Sequence, residues 1–321
     1  MLKNIADATY NAYLAALRPG ASRRRRKLIR KFRKLIFKFG DPDVTARLDG
    51  FQFRTPLSSD ILLCHFEFPF YDSVLPRLAE MVASARGGLT MVDVGANVGV
   101  AVYLVSRKTS GKFLCLEANA RFRECLSLNL AQIPGSAFRI VALSDQPGRQ
   151  AVRHCYSGGN SNLEVNSGGE MLEFVTLDEA VAGSLECRAP NLVKIDTEGF
   201  ELKVLRGACR TLAEHRPVLF LEFFPDLMRR EATEPDEIFA LLREAGYDQF
   251  VFYDGGGNLL IRLGTGQTEE LRTLRRFCEL RHWFFDVAAF HSADSRLAQD
   301  FVTAEAAFFD GFLRGNSKAP A

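Results

Sequence analysis

The segment MVDVGANVGV at residues 91–100 constrains this chain more than any other. Apolar residues flank Asp93, the turn Gly95-Ala96-Asn97-Val98-Gly99 follows, and a second apolar run opens at Val100. This pattern predicts a buried parallel strand, a tight glycine turn and a helix entered at once. Glycine has no Cβ and lets backbone approach a ligand, and a new helix presents free N–H groups. The turn therefore predicts a nucleotide-sized seat at the carboxyl end of a strand, where open α/β sheets bind ligands.

The spacing narrows the choice of nucleotide. It is not the G-x-G-x-x-G of dinucleotide folds, nor the G-x-x-x-x-G-K-[ST] of phosphate-clamping loops. An acid inside the strand, Asp93, suits a ligand with a positive ammonium group, such as S-adenosylmethionine, better than a dense phosphate. A second strand, GKFLCLE at 111–117, ends in Glu117. That is about 20 residues beyond the turn, where a carboxylate holds ribose hydroxyls in either nucleotide class. Three more strands follow: RIVALSD at 139–145, NLVKIDTEG at 191–199 and RPVLFLE at 216–222. They end in Ser144 and Asp145, placed to meet an adenine edge, in Asp196 and Glu198, and in Glu222. Packing alone gives no reason for polar residues to recur at one sheet edge.

VDVGANVG at 92–99, LEAN at 116–119, ALSD at 142–145, VKIDTEGFE at 193–201 and VLRGA at 204–208 together resemble the FkbM-type methyltransferase family. The likeness runs from residue 60 to about 253, with I-D-x-E-G-x-E its most specific part. It implies an S-adenosylmethionine-dependent class I methyltransferase: an α/β, Rossmann-like sheet of seven strands with helices on both faces. It also implies O-methylation of a hydroxyl on a sugar, glycolipid or secondary metabolite. Ala118 departs from the usual Glu-Pro-Asn. The cofactor contacts expected on this reading are Asp93, Gly95, Ala96, Asn97, Gly99, Glu117, Ala118, Ser144, Asp145 and Asp196. Two other classes compete: a non-catalytic binder of the same fold, and an NAD-dependent oxidoreductase, which would want the glycine triad that is missing.

A strand order 3-2-1-4-5 brings Asp196 and Glu222 to one pocket. A sulfonium methyl is already activated, so the protein has to align an oxygen nucleophile and take its proton. Asp196 or Glu198 is a candidate base if burial or a second acid raises its pKa. Asp196, Glu198 and Glu222 are alternatively a candidate Mg²⁺ set. Glu198 reads equally well as a cap for a helix over 199–214. His154, inside the insert 148–179, is the best placed histidine. Turn residues Gly158-Gly159, Asn160, Ser161 and Gly168-Gly169 suggest that this insert forms extra strands or a flap.

The expected organisation is a basic helical extension at 1–40, a lead-in hairpin and helix at 41–88, a methyltransferase domain at 89–295, and a C-terminal helix and tail at 296–321. Helices are expected at 70–86, 199–214, 235–245 and 268–280, with a last antiparallel strand at 282–291 and a frayed tail from 315. Residues 23–39 hold ten Lys or Arg and no acid. Leu28, Ile29, Phe32, Leu35, Ile36 and Phe39 there recur at helical spacing as one apolar face. Contact with an anionic membrane and packing on the domain are both open for this helix, while RNA binding lacks an aromatic stacking module. A net charge of +2 argues against a whole-chain polyanion binder, and nucleic acid is not expected as a partner; a small-molecule or glycan acceptor is the partner that the resemblance implies. The seven cysteines show no C-x-x-C and read as reduced core thiols. Without an 18-residue apolar run or a signal-peptide pattern, the expected location is cytoplasmic, with the basic helix available to the inner membrane face.

Overall fold

The inner strands of the central sheet alternate apolar residues between two buried faces, and helices pack on each face. A computed structural model describes residues 2–18, 20–48, 50–68, 70–157, 160–165 and 169–315, except the side chains of 155–157, 160–162, 164 and 165. The turn readings at Gly158-Gly159 and Gly168, the side-chain reading of Asn160 and Ser161, and the tail from 316 lie outside the described residues.

The strands in chain order are β1 (Asp43–Leu48), β2 (Phe51–Pro56), β3 (Leu89–Val94), β4 (Gly111–Glu117), β5 (Ser136–Ile140), β6 (Ala142–Leu143) and β7 (Gly148–Ser157). They continue with β8 (Asn160–Val165), β9 (Glu170–Val175), β10 (Leu192–Ile195), β11 (Val218–Phe223), β12 (Tyr247–Asp254), β13 (Leu259–Gly264) and β14 (Phe285–His291). The main sheet runs β13-β12-β14-β11-β10-β3-β4-β5. From β5 to β11 all neighbours are parallel, and β14 enters antiparallel between β11 and β12. The order predicted around β3 is present, but the sheet has eight strands where seven were expected. The additional one is β13, turned back on β12 through Gly255-Gly256-Gly257.

Met91, Phe113, Leu192 and Phe220 face one core, under the helices Val74–Arg86 and Val100–Ser106 and the amino-terminal elements. Val92, Leu114, Val193 and Leu221 face the other. At about 1.5–3 kcal/mol per buried large apolar side chain, both faces contribute heavily to stability.

Two expected elements are divided and a third is shortened. The strand over 139–145 leaves the main sheet at Val141, whose N–H still bonds the Glu117 carbonyl at 2.7 Å. β6 then pairs with β9 in a separate sheet, β6-β9-β7-β8, which is the insert. The helix over 199–214 breaks into Glu201–Arg206 and Cys209–His215. At the break, a Cβ on Gly207 would lie 2.7 Å from the Ser144 carbonyl, so the insert sheet crosses too closely for a side chain. The helix over 70–86 starts only at Val74, after Asp72 takes a left-handed φ of 54°.

Helix α1 (Leu2–Leu17) packs on β1 of the β1–β2 hairpin, and helix α2 (Arg23–Ile36) packs on α1. The apolar face expected on residues 23–39 is split. Ile29 and Ile36 turn inward, whereas Leu28, Phe32, Leu35 and Phe39 stay exposed. Buried Arg33 sets this roll: its guanidinium donates to the carbonyls of Leu57 at 2.7 Å, Ser58 at 2.8 Å and Ser59 at 3.0 Å, and to Asp60 at 2.5 Å. No helix among the described residues is long and apolar enough to cross a membrane.

The helix Ser295–Leu313 is tied to Val74–Arg86 by Arg77, which donates to both carboxylate oxygens of buried Glu305 at 2.6 and 2.7 Å. Glu305→Ala strands that guanidinium and is expected to lower urea stability by about 3–5 kcal/mol. Asp310→Ala, which removes the exposed Arg314 pair, is expected to cost under about 1 kcal/mol. Equal midpoints for the two variants would contradict this assignment.

Candidate active site

The apolar alternation on one sheet face fails at its carboxyl edge, where charge replaces it. Asp93 on β3 lies in register with Lys194 on β10, and Glu222 on β11 with Asp286 on β14. Asp93 is fully buried, and an isolated carboxylate there would be strongly disfavoured. Lys194 supplies the counter-charge, with its Nζ 3.3 Å from Asp93 and 3.1 Å from Asp196 just beyond β10. Burial alone would pull the Lys194 ammonium down. Asp196 and Asp93 outweigh that and hold it above the ordinary lysine range.

Beside this row the β3 turn folds against two others. The N–H groups of Gly95 and Ala96 donate to the Leu116 carbonyl at 2.9 and 3.1 Å. The Asn97 N–H donates to Glu117 Oε2, and the Asn119 N–H to Glu117 Oε1, both at 2.7 Å. Gly95 has a φ of +81°, and a Cβ there would sit 1.7 Å from the Asp196 carbonyl. Its missing side chain thus admits the neighbouring loop. The β10 loop is wound on Glu201, which accepts from the Thr197 N–H at 2.8 Å, its hydroxyl at 3.0 Å and the Gly199 N–H. The acid that anchors the start of this helix is therefore Glu201, while Glu198, at a left-handed φ of 57°, faces the cavity.

These loops enclose a cavity of about 460 Å³. Its floor is Gly95–Asn97 and Glu117–Asn119, and one wall is Val141–Leu143 with Phe174. His154 and Leu163 come from the insert sheet. The opposite wall holds Asp72, Lys194, Asp196–Glu198, Glu222 and Asp286. Phe68, Tyr71, Phe224, Trp283 and Phe284 surround that wall, with the Trp283 and Phe284 rings stacked at 5.9 Å. The Asn97 Oδ1 and Glu222 Oε2 atoms are buried with no hydrogen-bond partner among the described residues.

Burial sets the acidities. It pushes Asp72 up to about 7, helped by Asp196 and opposed by Lys194. It pushes Glu117 up to about 7 against the two N–H donors that favour its charge. Glu222 is driven well above the carboxylate range by burial, then by Asp196 and Glu198, and Asp286 by burial, then by Asp72.

Among the residues expected from sequence, Gly95, Ala96, Asn97, Glu117, Ala118, His154, Asp196, Glu198 and Glu222 all line this cavity. Asp93, Gly99, Ser144 and Asp145 do not. Asp93 is sealed beneath the floor and already faces the ammonium of Lys194, so it is not presented to a ligand. Gly99 enters its helix at φ +86°, packed on Leu126. Ser144 and Asp145 follow the chain into the second sheet, where the Ser144 N–H bonds the Val175 carbonyl. His154 pairs with Glu170 at 3.3 Å. The Mg²⁺ set does not fit: among the described residues no three acids, histidines or cysteines are grouped to hold a metal, and Lys194 is the cation lying against Asp93 and Asp196. Sequence reasoning missed Lys194, Asp286 and Asp72. The first two were signalled by a charge inside an apolar strand, LVKI and FFDVAAF, whereas Asp72 had no such signal.

Residues 93–248 match the methyltransferase FkbM domain. The chain is similar to the hexuronic acid methyltransferase AglP of Haloferax volcanii, at 28% identity over 155 residues, 48% of this chain and 61% of that protein. It is similar in structure to the FkbM methyltransferase of Methylobacillus flagellatus, at 19% identity and TM-score 0.37, covering 51% of this chain and 40% of that one. A further likeness is the Pyrococcus abyssi tRNA (uracil-54, C5)-methyltransferase, solved with S-adenosyl-L-homocysteine, at 13% identity and TM-score 0.37, covering 78% and 45%. The chain thus spans under two thirds of each of these relatives.

The raised carboxyls make stability depend on pH with a definite sign. A carboxyl whose folded pKa exceeds its unfolded value stabilises fully below the unfolded pKa, and this is lost as pH rises through the folded one. For Asp72 and Glu117 that window runs from about 4 to about 7. The melting temperature is expected to fall across it, and Asp286→Asn to flatten the slope and raise the midpoint at pH 8 by a few degrees (about 2–4 °C per kcal/mol). A slope of opposite sign in calorimetric scans would refute the burial of these groups.

Proposed function

We propose that this chain, through its FkbM domain, is an S-adenosylmethionine-dependent O-methyltransferase acting on a hydroxyl of a glycan or similar polyol. The observation that carries the reading is the convergence of the β3, β4, β10 and β11 carboxyl ends on one cavity, with orphaned Asn97 and Glu222 oxygens inside it. In this reading residues 89–295 are the catalytic unit, and 1–40, 41–88 and 296–321 are additions to it. The cavity falls within the several-hundred-Å³ range usual for cofactor sites.

Gly95–Asn97 and Glu117–Asn119 would hold the ribose, and Val141–Leu143 with Phe174 an apolar ring. Asp72, Lys194 and Asp196 would meet the charged amino-acid end. Bound S-adenosylmethionine supplies a methyl group that is already activated. What remains for the protein is alignment and proton removal. Glu222 and Asp286 face each other in register, and two carboxyls so close and buried do not both ionise readily. Ionised Glu222 is the proton acceptor of this proposal. Asp196, ion-paired with Lys194, orients the hydroxyl, while Glu198 borders its approach and His154 overhangs it from the insert. The stacked Trp283 and Phe284 offer the flat apolar face on which a sugar ring rests. A glycan acceptor agrees with the hexuronic acid in the name of the Haloferax relative.

Isothermal calorimetry is expected to show binding of S-adenosylmethionine and none of NAD. Asn97→Ala is expected to weaken it severalfold, a cleaner test than any substitution of Gly95, which would clash with the β10 loop. Folded wild-type chain that binds NAD and not the methyl donor overturns the proposal. Glu222 must be ionised to act and its pKa is raised, so kcat/KM is expected to fall with decreasing pH through a value above the ordinary carboxylate range. Glu222→Gln is expected to lower kcat by roughly 10²–10⁴ and abolish that limb, with donor binding retained. Full turnover by this variant would exclude Glu222 as the base.

A further inference from the structure

The FkbM domain leaves the basic helix α2 without a role. Its exposed stripe is large: Leu28 is 69% exposed, Phe32 47% and Leu35 48%, and Phe39, in the 3-10 turn Phe37–Phe39 that follows the helix, is 72% exposed. The positions 28, 32 and 35 follow helical spacing and share one side of α2, and Phe39 adds an exposed ring just past its end. It is not the side that binds the fold, which belongs to Ile29, Arg33 and Ile36. Eight of the ten Lys and Arg between 23 and 39 are exposed, and only Arg26 and Arg33 have ion pairs among the described residues. No acid interrupts the segment. An apolar stripe in water, bordered by unneutralised cations, matches an acyl boundary lying beneath anionic headgroups.

We propose that residues 23–39 dock this chain on an anionic phospholipid bilayer. Leu28, Phe32, Leu35 and Phe39 insert at the headgroup boundary, and the surrounding lysines and arginines lie over lipid phosphates. Arg33 makes the helix a rigid foot, because its four bonds fix the roll that turns the stripe outward. The same anchor reaches the active site. Arg33 holds residues 57–60 and Arg26 pairs with Glu67, while Ile61 and Phe68, at either end of the intervening helix, line the cavity. The docking stands without the methyl-transfer reading. Joined to it, it places the cavity beside a membrane and favours an acceptor glycan carried on lipid.

The test is co-sedimentation of the full chain with vesicles of phosphatidylcholine alone or mixed with phosphatidylglycerol. The chain is expected to pellet with the mixed vesicles and to be released by high salt. The triple variant Lys27→Gln, Lys31→Gln, Lys34→Gln is expected to lose roughly a hundredfold in partitioning. Phe32→Ser with Leu35→Ser is expected to lose at least about tenfold. All five side chains are exposed, so circular dichroism and donor-binding calorimetry of both variants should match wild type. Wild-type chain that stays in the supernatant, or pellets equally with neutral vesicles, overturns the proposal. So does a stripe covered by a second copy of the chain, seen as a dimer that the serine variant dissociates, or retention of duplex RNA without vesicles. None of these readouts requires turnover, so loss of docking and loss of the methyl-transfer reading are separable.

Discussion

The rest of the site is organised by one buried ammonium. Lys194 sits at the carboxyl end of β10, largely buried between parallel strands, a place where a charge is unfavourable unless opposite charge surrounds it. Asp93 from the neighbouring strand and Asp196 from its own loop provide that charge. Once the three are placed, β3 and β10 cannot slip relative to one another without burying a bare charge. The loops leaving both strands are therefore fixed together, and those loops are the floor and wall of the cavity. Glu222 and Asp286, further along the same face, lack such a cation at hydrogen-bond distance among the described residues, and burial holds their pKa well above the carboxylate range.

The sequence made the scaffold legible because its signals are local and redundant. Strand, glycine turn and helix follow each other within ten residues at 91–100, and each later strand carries a strongly apolar core. The strand order was legible only through the family resemblance carried by the motifs at 92–99, 116–119 and 193–201. What escaped was anything decided by two distant segments at once. Asp93 looks like a ligand-facing acid until Lys194 is seen across the strand pair. Ser144 and Asp145 look like a strand end until Val141 is seen to switch sheets. The face of α2 looked single because helical spacing alone cannot say which half of a wide apolar arc meets the domain.

The glycines teach a related lesson. Gly95 and Gly207 each sit where another backbone crosses, the Asp196 carbonyl in one case and the Ser144 carbonyl in the other. A motif that reads as ligand binding can be retained for chain crossing, and here the two purposes coincide because the crossing loops are the ones that enclose the cavity.

The departure of the chain from the main sheet at Val141 has a consequence for how such a fold diversifies. Among the described residues, β7, β8 and β9 pair only with one another and with β6, so their register is independent of the strands that carry Asp93, Lys194 and Glu222. Lengthening or exchanging that module leaves the sheet beneath it unchanged while remodelling the ceiling that His154 and Leu163 give the cavity. On the reading proposed above, acceptor choice can then change by exchange of this module alone.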